Sequence, residues 1–192
     1  MTVATGDAKK MSDERILART DELTGLANRR KFLTEYETFV KSAGSLLILD
    51  LDGFKPVNDR LGHEIGDQLL RQVAQRFTRV MPRTGLLARL GGDEFVILAP
   101  ALAEPEDAVR LAERIRAAIS EPYSIDGKEV FVGASIGIAY ADFDNFTPDT
   151  LLRQSDVAMF HAKEDAASGI FIYDSSLEAD VAARLDLDAG IR

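Results

Sequence analysis

Ser45-Leu46-Leu47-Ile48-Leu49-Asp50-Leu51-Asp52 is the stretch that decides the fold. It is a short apolar run bounded by turn residues, too brief for a buried helix, and it reads as a buried strand. Its end carries two carboxylates two positions apart. Side chains at that spacing in a strand face the same side, so Asp50 and Asp52 share a face at the mouth of whatever sheet the strand joins.

Working outward, the flanking segments alternate in character. Asp13–Thr20 has a helical pattern, broken by Asp21-Glu22-Leu23-Thr24-Gly25. Asn28 is a suitable cap for a helix running to about Lys41, with Phe32, Tyr36 and Phe39 at helical spacing. After the strand come a short helix near Pro56–Arg60 and a long amphipathic helix over about Ile65–Val80. Gly85–Leu90 and Glu94–Ala99 read as two strands joined through Gly91-Gly92 in a tight turn. Further on, the pattern predicts a helix over Glu104–Ser120 and strands at Tyr123–Ile125 and Val130–Tyr140, turned at Asp126-Gly127. A helix over Pro148–Lys163 and a strand at Gly169–Tyr173 follow, with a helix over Leu177–Leu187 outside the main unit. The expected architecture is α+β: a central, mostly antiparallel sheet flanked by helices. The expected divisions are a tail and linker helix at 1–20, a folded domain at 21–174, and a connector helix at 175–192.

Composition narrows the chemistry. The chain of 192 residues carries 32 acidic and 23 basic side chains, for a net charge of −9. That disfavours a nucleic-acid footprint, which needs a basic face. There is no cysteine, so disulfides, thiolate nucleophiles and Cys-ligated zinc are excluded. The two histidines, His63 and His161, are far apart in sequence, which argues against a His-rich metal site. No apolar run approaches the roughly 20 residues of a membrane span, and the start MTVATGDAKK lacks the apolar core of a signal peptide.

The acids are the strongest chemical feature. Asp50 and Asp52, beside a glycine turn bearing Asp93 and Glu94, can form one cluster. Clustered carboxylates repel, and a divalent cation relieves the repulsion. Oxygen-only donors suit Mg²⁺, or Mn²⁺, rather than zinc. The same residues also fit a strand end followed by a helix cap, with no metal. Asn58 and Asp67 offer an amide and a carboxylate that match the donor and acceptor edges of guanine. Asp67 equally fits a charge favoured by a helix N-terminus.

Taken together the segments resemble the GGDEF family of diguanylate cyclases, over roughly Asp21 to Tyr173. Arg89-Leu90-Gly91-Gly92-Asp93-Glu94-Phe95 is the namesake motif intact. Asp21-Glu22-Leu23-Thr24-Gly25-Leu26-Ala27-Asn28-Arg29-Arg30 resembles the opening motif. Leu49–Asp59 resembles the metal-and-phosphate loop, and Gly62-His63-Glu64-Ile65-Gly66-Asp67 the base-recognition segment. The resemblance implies a fold similar to nucleotidyl cyclases and the polymerase palm. It implies a cytoplasmic enzyme that condenses two GTP molecules into cyclic di-GMP, as a homodimer. By resemblance, Asp50, the Leu51 carbonyl and Asp93 hold Mg²⁺, and Asp93 and Glu94 are catalytic, with Lys55. Asn58 and Asp67 bind guanine, with His63 nearby. Gly53 and Phe54 cradle phosphates, and Lys163 neutralises them.

Two departures stand out. Where many members carry an inhibitory Arg-x-x-Asp, this chain reads Pro82-Arg83-Thr84-Gly85, so product inhibition through that site is not expected. Lys163 is followed by Glu164-Asp165-Ala166-Ala167-Ser168-Gly169, without the family's arginine. That keeps open a second reading, a GTP-binding module that regulates a fused EAL phosphodiesterase domain. The segment from Tyr173 through Leu187 resembles a connector to such a domain and also fits a plain terminal helix. On the connector reading, a sensor domain precedes the chain.

Overall fold

Asn28 closes a two-residue strand, β1 (Ala27–Asn28), and its side chain accepts from the Lys31 amide to start helix α1 (Arg29–Phe39). This is the capping role expected of asparagine, satisfying one of the donors a helix leaves open at its start. The computed structural model describes residues 18–100, 102, 104–141, 147–165 and 168–174. The expected connector helix at 175–192 lies outside them, as does most of the expected helix at 13–20. The last residues of that span, 18–20, form a turn and a bridge to Ala27 rather than a helix.

Strand β2 (Gly44–Asp52) leads into a pair of helices, α2 (Phe54–Leu61) and α3 (His63–Val80). Helix α2 starts at Phe54, two residues earlier than the sequence predicts. Pro56 sits within its first turn, where its missing N–H has no partner to lose. Strands β3 (Leu86–Gly91) and β4 (Glu94–Ala99) form the glycine hairpin, and α4 (Pro105–Ser120) follows. The turn residues are Gly92 and Asp93, one place later than the Gly-Gly pair suggests, because a register shift between Arg89 and Gly91 brings Gly91 opposite Glu94.

The expected strand over Val130–Tyr140 is two strands. β5 (Tyr123–Ile125) and β6 (Lys128–Val130) make a separate two-stranded sheet turned at Asp126-Gly127, while β7 (Gly133–Ala141) joins the main sheet. The reason lies in register. β7 pairs residue for residue with β2, from Gly44 opposite Ala141 to Asp52 opposite Gly133. Its partner ends at Asp52, and the chain leaves the sheet at 131–132. Helix α5 (Pro148–Glu164) and strand β8 (Ile170–Ile172) complete the unit.

The main sheet has the order β1-β3-β4-β2-β7-β8. Its three central pairings are antiparallel, and both edge pairings are parallel. Side chains of β2 alternate between two apolar clusters. Leu47, Leu49 and Leu51 pack with α3 and α4 through Leu69, Val73, Phe77 and Ile115. Leu46 and Ile48 pack with α1 and α5 through Phe32, Tyr36 and Leu151. Helices therefore cover both faces of an α+β sheet, as expected.

Helix α5 lies unusually close to β7. A Cβ at Gly137 would overlap the Ser155 carbonyl and the Met159 amide, so only glycine fits there. This contact sets the height of α5 over the strand ends where the acids lie.

Candidate active site

The α1/α5 face of β2 is apolar at Leu46 and Ile48 and turns polar at Asp50. Opposite Asp50 stand Glu94 in β4 and Ser135 in β7. Cross-strand partners share a face, so the three side chains form a row across the sheet. Ser135 donates to Asp52 Oδ1 at 2.8 Å. The Leu51 amide donates to the Asp93 carbonyl at 3.3 Å, which ties the end of β2 to the tip of the hairpin. From α5, Lys163 places Nζ 2.8 Å from Asp50 Oδ2.

The electrostatics agree with that packing. Burial pushes the Asp50 carboxyl above its ordinary range, the hydrogen bond and charge of Lys163 pull it back, and the charges of Asp93 and Asp52 push it up again. The acids of the strand end and of the hairpin are thus near enough to sense one another.

Arg89 holds the hairpin in shape. Its guanidinium donates twice to the Gly92 carbonyl, at 3.0 and 2.7 Å, and pairs with Asp21 at 3.0 and 3.1 Å. Asp21 also accepts from the amide and hydroxyl of Thr24. Partial burial works to raise the Asp21 carboxyl, but the bonds from Thr24 and Arg89 outweigh it and hold it below its usual value. One arginine therefore joins the Asp21–Asn28 segment to the Gly92-Asp93 turn.

The remaining predicted residues lie along the α2–α3 hairpin. Gly53 has left-handed backbone (φ 82°) and leads straight from Asp52 into α2, with Phe54 buried and Lys55 exposed in its first turn. Asn58 packs on Gly66, where a Cβ would overlap Asn58 Oδ1. That oxygen is buried and has no hydrogen-bond partner. Asp67 is the next residue along α3 and is exposed, as is His63 at the helix start. Asn58 and Asp67 are thus brought near each other, whereas the described contacts tie neither Lys55 nor His63 to the acids.

Two contributors escape the sequence reading. Asp156 is exposed on α5, yet the chain around its carboxyl, with the charge of Glu94 adding to it, raises its pKa. It lies seven residues, two helical turns, before Lys163, and that spacing is the signal that could have found it. Arg89 sits within the namesake motif and its bonds to Gly92 are local, but its pairing with Asp21 spans 68 residues that no local pattern reveals.

Among the described residues no three His, Asp or Glu side chains converge as a ready cage. Two carboxylates and a backbone carbonyl would leave coordination positions for phosphate oxygens and water, the usual arrangement for Mg²⁺. The Lys163 ammonium already pairs with one of those carboxylates, Asp50.

The model of the family described as diguanylate cyclase, GGDEF domain, matches residues 18–168. The chain belongs to the GGDEF family. It is 42% identical over 177 residues to the bifunctional diguanylate cyclase/cyclic di-GMP phosphodiesterase MucR of Pseudomonas aeruginosa, covering 89% of this chain and 26% of MucR. Its fold is similar to the GGDEF domain of TpbB (YfiN) from the same organism, with TM-score 0.79, 35% identity and coverage of 85% and 99%. It is also similar to the coiled coil and GGDEF domain of DgcB from Caulobacter crescentus in complex with c-di-GMP. There the TM-score is 0.77, the identity 27% and the coverage 88% and 95%. The expected fold and family are therefore borne out. No helix among the described residues is long and apolar enough to cross a membrane.

Proposed function

We propose that this GGDEF chain is an active diguanylate cyclase that condenses two GTP molecules into cyclic di-GMP and releases pyrophosphate. The observation that carries the reading is the meeting of Asp50 with the Asp93-Glu94 hairpin under the Lys163 ammonium. Such a site gathers negative charge where a triphosphate and its cations would complete it.

In this reading the 3′-oxygen of one GTP forms a bond to the α-phosphorus of the other, and the bond to pyrophosphate breaks. Asp93 accepts the proton of the 3′-hydroxyl. Asp50, the Leu51 carbonyl and Asp93 would hold Mg²⁺, or Mn²⁺, which would supply neutralisation of the charge that develops in the transfer. Glu94 adds a further carboxylate beside Asp50. The amides at Gly53 and Phe54, at the start of α2, bind phosphate oxygens, helped by the helix dipole. Lys55 and Lys163 offset phosphate charge. Asn58 and Asp67 hold guanine beside His63, and the packing of Asn58 on Gly66, next to Asp67, supports this by keeping the two side chains close. Most of the rate gain comes from positioning and electrostatics. One domain holds one GTP, so two copies face each other across a two-fold axis. The reading puts the work in the cytoplasm, where GTP is available, with fused EAL and sensor domains as part of it; the bifunctional cyclase/phosphodiesterase description of MucR, of which the chain matches 26%, supports a fused phosphodiesterase.

The absence of an arginine after Lys163 favours one competing reading, a regulatory module that binds GTP without turnover. Incubation of the dimerised chain with GTP and Mg²⁺ separates the two. Cyclic di-GMP with pyrophosphate supports the cyclase, and GTP binding without either product rejects it.

A further inference from the structure

Lys163 is claimed by two partners. The proposed chemistry asks it to neutralise a triphosphate, whereas its ammonium lies 2.8 Å from Asp50 Oδ2. Asp50 is also the first of the proposed metal ligands. Its side chain is only 14% exposed, while that of Lys163 is 43% exposed. The carboxylate is therefore fixed in the sheet, and the amine is the member free to move. Its backbone is not: α5 is locked against β7 where Gly137 meets Ser155 and Met159. A lysine head on a four-carbon stem can change partners without the helix moving.

A monovalent ammonium and a divalent ion repel when they share one carboxylate. A divalent cation arriving alone must compete with Lys163 for Asp50. One arriving with a nucleoside triphosphate brings a more negative partner for the ammonium. We propose that Lys163 is an internal counter-ion that makes divalent-metal binding at Asp50 conditional on a bound triphosphate, exchanging the carboxylate for phosphate as the nucleotide enters. The proposal rests on the cyclase reading of Asp50 as a metal ligand. It has a consequence that reading lacks. The protein resists free divalent cations, and metal and nucleotide bind cooperatively through one side chain.

The test is a Mn²⁺ titration of the full chain followed by electron paramagnetic resonance, with and without a non-hydrolysable GTP analogue. Wild type is compared with K163M, K163R and D50N. K163M should bind Mn²⁺ alone about tenfold more tightly than wild type and, with Mn²⁺ present, the analogue about tenfold more weakly. K163R keeps the charge and should hold Mn²⁺ alone as weakly as wild type. If K163M fails to melt as a folded protein, K163Q takes its place. K163M with unchanged or weaker Mn²⁺ affinity, while D50N loses the ion, overturns the counter-ion and leaves the metal site standing. D50N that binds Mn²⁺ like wild type, with the analogue present, overturns the metal site itself and the exchange with it.

Discussion

The two sides of strand β2 differ sharply in what they are made for. Toward α3 and α4 it presents Leu47, Leu49 and Leu51, all almost fully buried. Toward α1 and α5 it begins the same way, with Leu46 and Ile48, but ends in Asp50 and Asp52. The first side is uniform because its task is to exclude water. The second changes character two residues before the strand ends, and the change coincides with Glu94, Ser135 and Lys163 arriving from three other elements. A single strand thus serves stability on one side and chemistry on the other, and substitutions on the two sides should fail in different ways.

The sharpest contrast pairs Asp93→Asn with Leu49→Ala. Asp93→Asn should lower cyclic di-GMP synthesis by roughly 10³-fold, the scale of a lost general base, with a melting curve close to wild type. Leu49→Ala should cost about 2–5 kcal/mol of stability, while the remaining folded protein still turns over GTP. Pyrophosphate release beside a thermal melt reads both. An Asp93→Asn protein with undiminished turnover would break the division of labour.

Gly137→Ala joins the two kinds of failure. The added methyl should push α5 off β7 at a cost of about 1–3 kcal/mol, and because Lys163 rides on α5 it should also weaken GTP binding. If the variant melts lower with unchanged GTP dependence, the helix position matters less to the site than the Ser155 and Met159 contacts imply.

A smaller effect is expected at the far end of the site. Asp67→Ala should raise the half-saturating GTP concentration by about tenfold and alter maximal turnover much less. Unchanged GTP dependence would remove Asp67 from base recognition.

The smallest effect is one of pH. The folded pKa of Asp21 lies below the ordinary aspartate value, so its ionised form stabilises the fold above that ordinary value, and the contribution is lost as pH falls through the lower folded value. The gap in urea midpoint between wild type and Asp21→Asn should therefore be full at pH 6 and shrink below about pH 4. A gap that widens on acidification reverses the sign and removes the Arg89–Asp21 clamp as its cause.

Much of this was legible in the chain. The run from Ser45 to Asp52 announced a buried strand ending in acids because apolar burial and a two-residue period are local properties. Asn28 announced a helix start for the same kind of reason. What stayed hidden was set by partners distant in sequence. β7 starts at Gly133 because its partner β2 ends at Asp52, and nothing within Val130–Tyr140 marks that break. Arg89 is an ordinary strand arginine until Asp21 is folded beside it. The spacing of Asp156 from Lys163 put both on one side of α5, but only the folded sheet brings Asp156 within reach of the charge of Glu94. The motifs named the residues of the site. Long-range pairing decided which of them meet.

The alternation along β2 has one more consequence. Each residue in a strand faces opposite to its neighbour, so a slip of one position against β4 and β7 would swap the two sides. Leucine would then line the cleft, and Asp50 and Asp52 would be driven among Leu69, Phe77 and Ile115, where a bare carboxylate is severely penalised. The misaligned sheet is excluded by the same acids proposed to work in the aligned one. In this molecule the reactive end of the strand also proofreads its pairing.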